Sequence, residues 1–321
     1  MKNFGSGWLT ALLWAGFVVA VPLIGVRWLD SSAGPVAVLQ SMVPLTGVLV
    51  VVLVVLAALT RRWLLTVATV ALLAVCATIS VPSLSGHTVA AGRDDLVVMS
   101  ANLKYGGADA RSLVMAVREH RVDVLVLIEV TPSSLARLQV AGLDTLLPES
   151  AGQSSQDAGG TIIRSRVPMT LVQPGLDRVS PYAFNEPVVS IHRTSGDVVL
   201  RAVHSLPPGL SGAADWRSGL AGLQGWRQRQ PADLPLVMAG DFNSSWGHPG
   251  FRAAAETMTD AQHAAREGWA PTWPQGRRLI RPFIQLDHVL SRGMDVVDAG
   301  VVQIPRTDHA AVWARLSPHR P

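Results

Sequence analysis

Leu236–Asn243 reads LVMAGDFN, and this short stretch decides how the rest of the chain is read. Leu236, Val237 and Met238 form an apolar run suited to a buried strand. The run meets Gly240 and leaves Asp241 and Asn243 at and just past its end. A strand that stops on polar groups presents them at a sheet edge, where they can meet residues from distant parts of the chain.

The same arrangement recurs on both sides. Upstream, Leu96–Ser100 leads to Asn102, Val122–Ile128 to Glu129, and Val198–Val203 to His204. Downstream, Leu286–Leu290 contains Asp287, and Asp308 and His309 precede the run Ala311–Leu316. Thr161–Ile163 and Val188–His192 read as further strands. Helical spacing of Leu113, Val114 and Val117 predicts a helix over Ala110–His120, and Thr131 and Pro132 start another over Ser133–Val140. Strands outnumber helices and recur at short intervals, which predicts an α/β (α+β) domain of packed sheets with helices outside. Taken singly, Asn102 also suits a turn, Glu129 a helix cap and His204 an ordinary surface. Their joint placement at strand ends is what predicts a site.

The N-terminal quarter is different in kind. Trp8–Val26, Pro35–Leu59 and Trp63–Val81 contain no charged residue. Each is long enough to cross about 30 Å of hydrocarbon as a helix rising about 1.5 Å per residue. Trp8, Trp28 and Trp63 lie at the ends, where amphipathic rings favour the interface. Three successive spans do not fit a signal peptide, which has one short apolar region. The expectation is a multi-pass cell-membrane protein: a three-span anchor over 1–81, a polar linker over 82–95 and a catalytic domain over 96–321. Arg61 and Arg62 fill the connection between the second and third stretches, and Lys2 precedes the first. The positive-inside rule puts both on the cytoplasmic side, so the domain after Val81 is expected outside the cytoplasm.

The net charge is +4, yet Lys2, Arg27, Arg61 and Arg62 against Asp30 account for most of it. The remaining domain is nearly neutral and carries no long basic track of the kind that nucleic-acid binding favours. Arg277, Arg278 and Arg281 form one local cluster, a candidate phosphate-contact patch or simply a solvated loop. With one cysteine, Cys76, the chain has no intramolecular disulfide and no cysteine metal site. It contains no P-loop, no H-E-x-x-H and no G-x-S-x-G.

Ser100-Ala101-Asn102, Ile128-Glu129-Val130, Val203-His204-Ser205-Leu206-Pro207, Gly240-Asp241-Phe242-Asn243, Leu286-Asp287-His288-Val289-Leu290 and Thr307-Asp308-His309 occur in that order. Together they resemble the successive motifs of the endonuclease/exonuclease/phosphatase family, over about Leu96 to Leu316. The resemblance implies a four-layer α/β/β/α sandwich and metal-dependent hydrolysis of phosphoesters. It implies Glu129 as main ligand of Mg²⁺ (Mn²⁺ also fits), with Asn102 and Asp308 completing the metal set. Asp241 would activate water, Asn243 and His309 would hold the phosphate, Asp287 would orient His309, and His204 would be a second phosphate contact and candidate general acid.

Lys104 departs from the pattern, because some members carry an acid there, and His288 stands where an aromatic residue is often found. Tyr105 and Tyr182 are the domain's two tyrosines, neither matching the tyrosine of apurinic endonucleases. The substrate class stays open between nucleic acid and a phospholipid head group, the second as phosphodiesterase or phosphatase work. Trp246, Trp269 and Trp273 suit base stacking, an interface or plain packing. A catalytically inactive phosphate-binding membrane module is the other reading; filled acid–base positions weigh against it. No protein partner is evident.

Overall fold

The computed structural model describes residues 4–175, 184–209, 213–268 and 270–319; Tyr182 and Trp269 lie outside them. The apolar quarter forms α1 (Phe4–Gly25), α2 (Gly34–Ser41), α3 (Val43–Leu59) and α4 (Trp63–Leu84). The domain continues as β1 (Leu96–Asn102), α5 (Ala110–Glu119), β2 (Val124–Ile128), α6 (Pro132–Val140), α7 (Leu143–Leu146), β3 (Glu149–Gln153) and β4 (Thr161–Ser165). Next come β5 (Met169–Gln173), β6 (Val188–Ile191), β7 (Val198–His204), α8 (Ala214–Arg229), β8 (Leu236–Asp241), α9 (Pro249–Ala254) and β9 (Thr259–Asp260). The chain closes with α10 (Ala261–Ala264), β10 (Asp287–Arg292), β11 (Met294–Val302) and β12 (Ala311–Pro318).

The strands make two six-stranded sheets, β11-β12-β1-β2-β4-β3 and β5-β6-β7-β8-β10-β9. Alternation along each strand sends side chains to both faces. Val98, Val126 and Ile163 of the first sheet cluster with Leu200, Val237 and Val289 of the second. On its other face the first sheet packs Met99, Leu125 and Leu127 against Leu113, Val117 and Leu138 of α5 and α6. The second packs Val203, Met238 and Leu290 against Trp216, Leu220 and Phe251 of α8 and α9. Burying each such side chain stabilises by roughly 1.5–3 kcal/mol. This two-sheet α/β architecture agrees with the expected sandwich.

Local signals place the helices. The Asp109 carboxylate caps α5 by accepting from Ser112 N, and Thr131 and Ser134 form a capping box at the start of α6. Sequence reading missed α8 because Gly219, Gly222 and Gly225 dilute its propensity, but Trp216, Leu220, Leu223 and Trp226 give it a buried stripe. It also missed β3, whose ESAGQ carries little hydrophobic signal, and β5 and β11.

Two helices, Gly7–Trp28 and Trp63–Val81, are long and apolar enough to cross a membrane. The expected second span is not one straight helix: α2 and α3 are bent by 56°. The break falls at Met42, just before Pro44 in the first turn of α3, where proline is tolerated and a continuous helix is not. The stretch over α2 lies against the domain instead. Ala37 is buried with Trp216 and Phe251, and His248 Nε2 donates to Ala37 O at 2.9 Å. Arg252 Nη2 donates to Arg27 O at 2.8 Å, Ala213 N to Ser32 O at 2.9 Å, and Arg217 pairs with Asp30 at 2.5 Å. The segment expected as a linker also contacts the domain. The α4 helix runs to Leu84, Arg266 Nε donates to Gly86 O at 2.6 Å and Val89 N to Val296 O at 2.9 Å.

Candidate active site

Strand register builds the site. In the first sheet β1 runs parallel to β2, opposing Asn102 to Ile128, so Glu129 follows next to Asn102. In the second sheet β7 runs parallel to β8, opposing His204 to Asp241. Strand β10 is antiparallel to β8 and opposes its first residue, Asp287, to Asp241. Strand β12 is antiparallel to β1, which brings the residues before Ala311 to the end where β1 stops. Asp287, Asp308 and His309 therefore reach the site from strand starts rather than strand ends.

Asn102 sits between two carboxylates. Its Nδ2 donates to Glu129 Oε1 and to Asp241 Oδ2, both at 3.0 Å, while its Oδ1 accepts from Lys104 N at 2.9 Å. Glu129 Oε2 accepts from Tyr105 N at 2.7 Å. Lys104, Tyr105, Glu129 and Asn243 all have positive φ, near 50°. Such conformations are costly for these residues and persist where surrounding structure imposes them. Burial pushes the Glu129 carboxyl up, with the Asp241 charge adding to it against the hydrogen bonds from Asn102 and Tyr105.

Asp241 is buried, and burial likewise raises its carboxyl, against the pull of His309. Its Oδ1 accepts from Asn243 N at 2.8 Å. Asn243 Nδ2 uses one N–H on the Ser205 carbonyl at 2.8 Å, and Asn243 O accepts from Trp216 Nε1 at 3.1 Å. His309 Nδ1 lies 2.8 Å from Asp287 Oδ2, and its Nε2 3.8 Å from Asp241 Oδ2. Burial opposes charge on this ring, but Asp287 and Asp241 outweigh it and push His309 up to about 10. His204 is the opposite case. It is stacked on Phe184 with ring centroids 4.1 Å apart, and burial lowers it to about 4. Two imidazoles of one site are thus held in different charge states at neutral pH.

All eight sequence-derived residues lie at this end of the two sheets, but not as one connected set. Asn102, Glu129, Asp241, Asn243, Asp287 and His309 are linked by the contacts above. His204 is held beside them by register. Asp308 faces outward to the rim, where Lys104 Nζ lies 3.4 Å from its Oδ2. Sequence reading missed the supports. Thr307 Oγ1 donates to Asn102 O at 2.8 Å, tying the T-D-H segment to β1. Glu186 accepts from Arg201 at 2.7 Å and from His204 N at 3.0 Å. His288, buried on the opposite face of β10, lies 2.8 Å from Asp260 Oδ2 and 3.0 Å from Ser244 O. A histidine next to Asp287 in a strand is the signal that was available, since alternation turns it to the other face.

The donor set fits a hard divalent cation. Two carboxylates raised by burial share one amide donor, which leaves negative charge and oxygen lone pairs in excess. Asp241, Asp287 and His309 also place one ligand atom each within 4.8 Å of one another. A cation held by that trio would compete with the His309–Asp287 hydrogen bond and with the charge on His309. The Glu129 side of Asn102 has no such conflict.

Solved structures with the same fold extend over most of the domain. An endonuclease/exonuclease/phosphatase from Beutenbergia cavernae DSM 12333 aligns with TM-score 0.53 and 22% identity, over 70% of this chain and 72% of that one. TDP2 of D. rerio, complexed with single strand DNA product, aligns with TM-score 0.55 and 13% identity, over 70% and 99%. Beta toxin from Staphylococcus aureus aligns with TM-score 0.51 and 16% identity, over 68% and 99%. No curated protein matches the chain. Residues 99–309, well over half of the sequence, match the model described as Endonuclease/Exonuclease/phosphatase family. The chain belongs to that family of metal-dependent phosphoester hydrolases.

Proposed function

We propose that the chain hydrolyses a phosphodiester outside the cytoplasm, using Mg²⁺ held by Glu129 with Asn102 beside it. The observation that carries this is the Asn102 amide spanning Glu129 and Asp241, with His309 facing Asp241 across 3.8 Å. The cation, when bound, neutralises phosphate charge and polarises the phosphorus centre. Asp241 takes the proton of the attacking water, and its raised pKa makes it the stronger base. The charged His309 donates through Nε2 to a phosphate oxygen, with Asp287 fixing the ring by accepting at Nδ1. The free N–H of Asn243 donates to the same group. His204, kept neutral by burial, donates a hydrogen bond to the leaving oxygen as its P–O bond breaks, and the alkoxide so released takes its proton from solvent. Asp308, paired with Lys104, adds to the field on His309 and closes the rim.

Residues 1–81 act as the anchor and 96–321 as the catalytic domain. The docking of residues 26–41 on the domain supports the orientation, because both then lie on one side of the membrane and Arg61 and Arg62 on the other. A second reading, a phospholipid head group as substrate, is favoured by that same docking, which holds the segment after Asn243 close to the spans. The test is turnover of bis-p-nitrophenyl phosphate by the full chain in detergent, with Mg²⁺ or Mn²⁺, with chelator, and with Asp241→Asn. Metal-dependent turnover lost in the variant is expected. No turnover with either metal would leave the inactive binding module as the answer.

A further inference from the structure

The loop from Trp273 to Ile284 is closed by an antiparallel bridge between those two residues, with Phe283 N and Ile284 N donating to Trp273 O at 2.9 Å. One foot grips the active-site rim. Gln275 N donates to Asp308 O at 2.9 Å, and Gln275 Nε2 donates to Ile304 O at 2.6 Å and to Thr307 O at 3.3 Å. The other foot touches the membrane module. Ile284 and Gln285 line a cavity of about 130 Å³ together with Val43 and Gly47 of α3 and Ile79 of α4. Between the feet, Gly276–Arg281 is an unbroken exposed run, GRRLIR. Leu279 is 93% exposed and Ile280 45%. Arg277, Arg278 and Arg281 flank them, no acidic residue occurs from Trp273 to Leu286, and none of the three arginines forms an ion pair among the described residues.

We propose that this loop is an interfacial element that seats on an anionic phospholipid surface and holds the catalytic rim against it. Two adjacent exposed aliphatic side chains set among three arginines, with no acidic residue nearby in the chain, match a surface that is apolar below and negatively charged above. The foot packed beside α3 and α4 places that surface at hand: it is the bilayer those helices enter. Nucleic acid would satisfy the arginines but leave Leu279 and Ile280 in water. Lipid contact at the tip is transmitted through Gln275 to Thr307 and Asp308, the residues beside His309. That last consequence rests on the hydrolase reading; the contact itself does not.

The experiment uses the full chain carrying Leu279→Cys and Cys76→Ser, labelled with an environment-sensitive dye and placed in nanodiscs. Phosphatidylglycerol discs should give a several-fold rise in emission and protection from aqueous iodide, compared with phosphatidylcholine discs. Arg277→Gln with Arg278→Gln and Arg281→Gln should abolish the difference. Equal quenching by iodide in both kinds of disc would overturn the proposal, as would a response to single-stranded DNA but not to phosphatidylglycerol. Turnover of bis-p-nitrophenyl phosphate, measured on the same labelled protein, tests the hydrolase reading separately. In detergent, where the tip meets no phospholipid surface, it should equal that of the unlabelled chain.

Discussion

Asn102 of the first sheet and Asp241 of the second meet directly, the amide Nδ2 lying 3.0 Å from the carboxylate Oδ2. This contact joins the two sheets at their polar end, and the same amide reaches Glu129 at 3.0 Å. Replacing it by Asn102→Ala removes the donor shared by two buried carboxylates. The variant should lose turnover by about 10²-fold and stability by about 1–3 kcal/mol. Steady-state kinetics and chemical denaturation check this; wild-type values in both would remove Asn102 from the site.

Asp241→Asn should separate activity from stability. Loss of a general base lowers kcat by about 10²–10⁴-fold. The fold should hold or gain slightly, because burial already disfavours the charged carboxylate that the amide replaces. A thermal melt beside the kinetics decides it. A large drop in Tm would show that Asp241 is chiefly structural.

The charge on His309 depends on its partners, which raise it to about 10 against burial. Turnover needing the protonated ring should fall as pH rises past that value. Asp287→Asn removes the stronger of those partners, the one hydrogen-bonded to the ring, so the alkaline limb should move to lower pH along with a fall in kcat. An alkaline limb that stays in place in Asp287→Asn would mean that another group sets it.

Stability should respond to acid through two histidines, His204 and His248, each lowered to about 4 by burial. Their unfolded forms take up a proton near 6.5. Their contribution is therefore present above that value and is lost as pH falls through about 4. His309 has the opposite sign: its contribution is present below 6.5 and is lost as pH rises through about 10. Melting curves between pH 7 and 4 should lose on the order of a few kcal/mol. His248→Gln, which keeps a donor toward Ala37 O, should flatten that slope. An unchanged slope would exclude His248.

Docking of the segment between α1 and α3 can be tested at Gly247. A Cβ there would fall 2.0 Å from Gln40 O, so Gly247→Ala must push the two segments apart. An overpacking cost of about 1–3 kcal/mol is expected. Protease access to residues 26–41 in the full chain should rise. No change in access would mean that this contact contributes little.

Some of this was legible in the chain because it is local. An apolar run of Leu236–Met238 before Gly240 and Asp241 signals a buried strand and its polar end wherever it lies. Other parts were hidden because local signals are weak or shared. Three glycines masked α8, whose stripe of Trp216, Leu220, Leu223 and Trp226 acquires meaning only against β8 and α9. Pro35–Leu59 has the composition of a span, yet its first turns bury Ala37 against Phe251 and Trp216. Apolarity alone does not distinguish a lipid-facing side chain from one facing a protein core.

The sequence alone determined which residue types could do phosphoester chemistry and that they stand beside strands, since strand identity follows from the pattern of neighbouring residues. Only the tertiary structure decided that β10 and β12 run antiparallel to their partners, bringing Asp287 opposite Asp241 and the residues before Ala311 to the end of β1. It alone decided that His309 carries charge while His204 does not. Both follow from burial and from charges supplied by residues far away in the chain, and no window of sequence contains them.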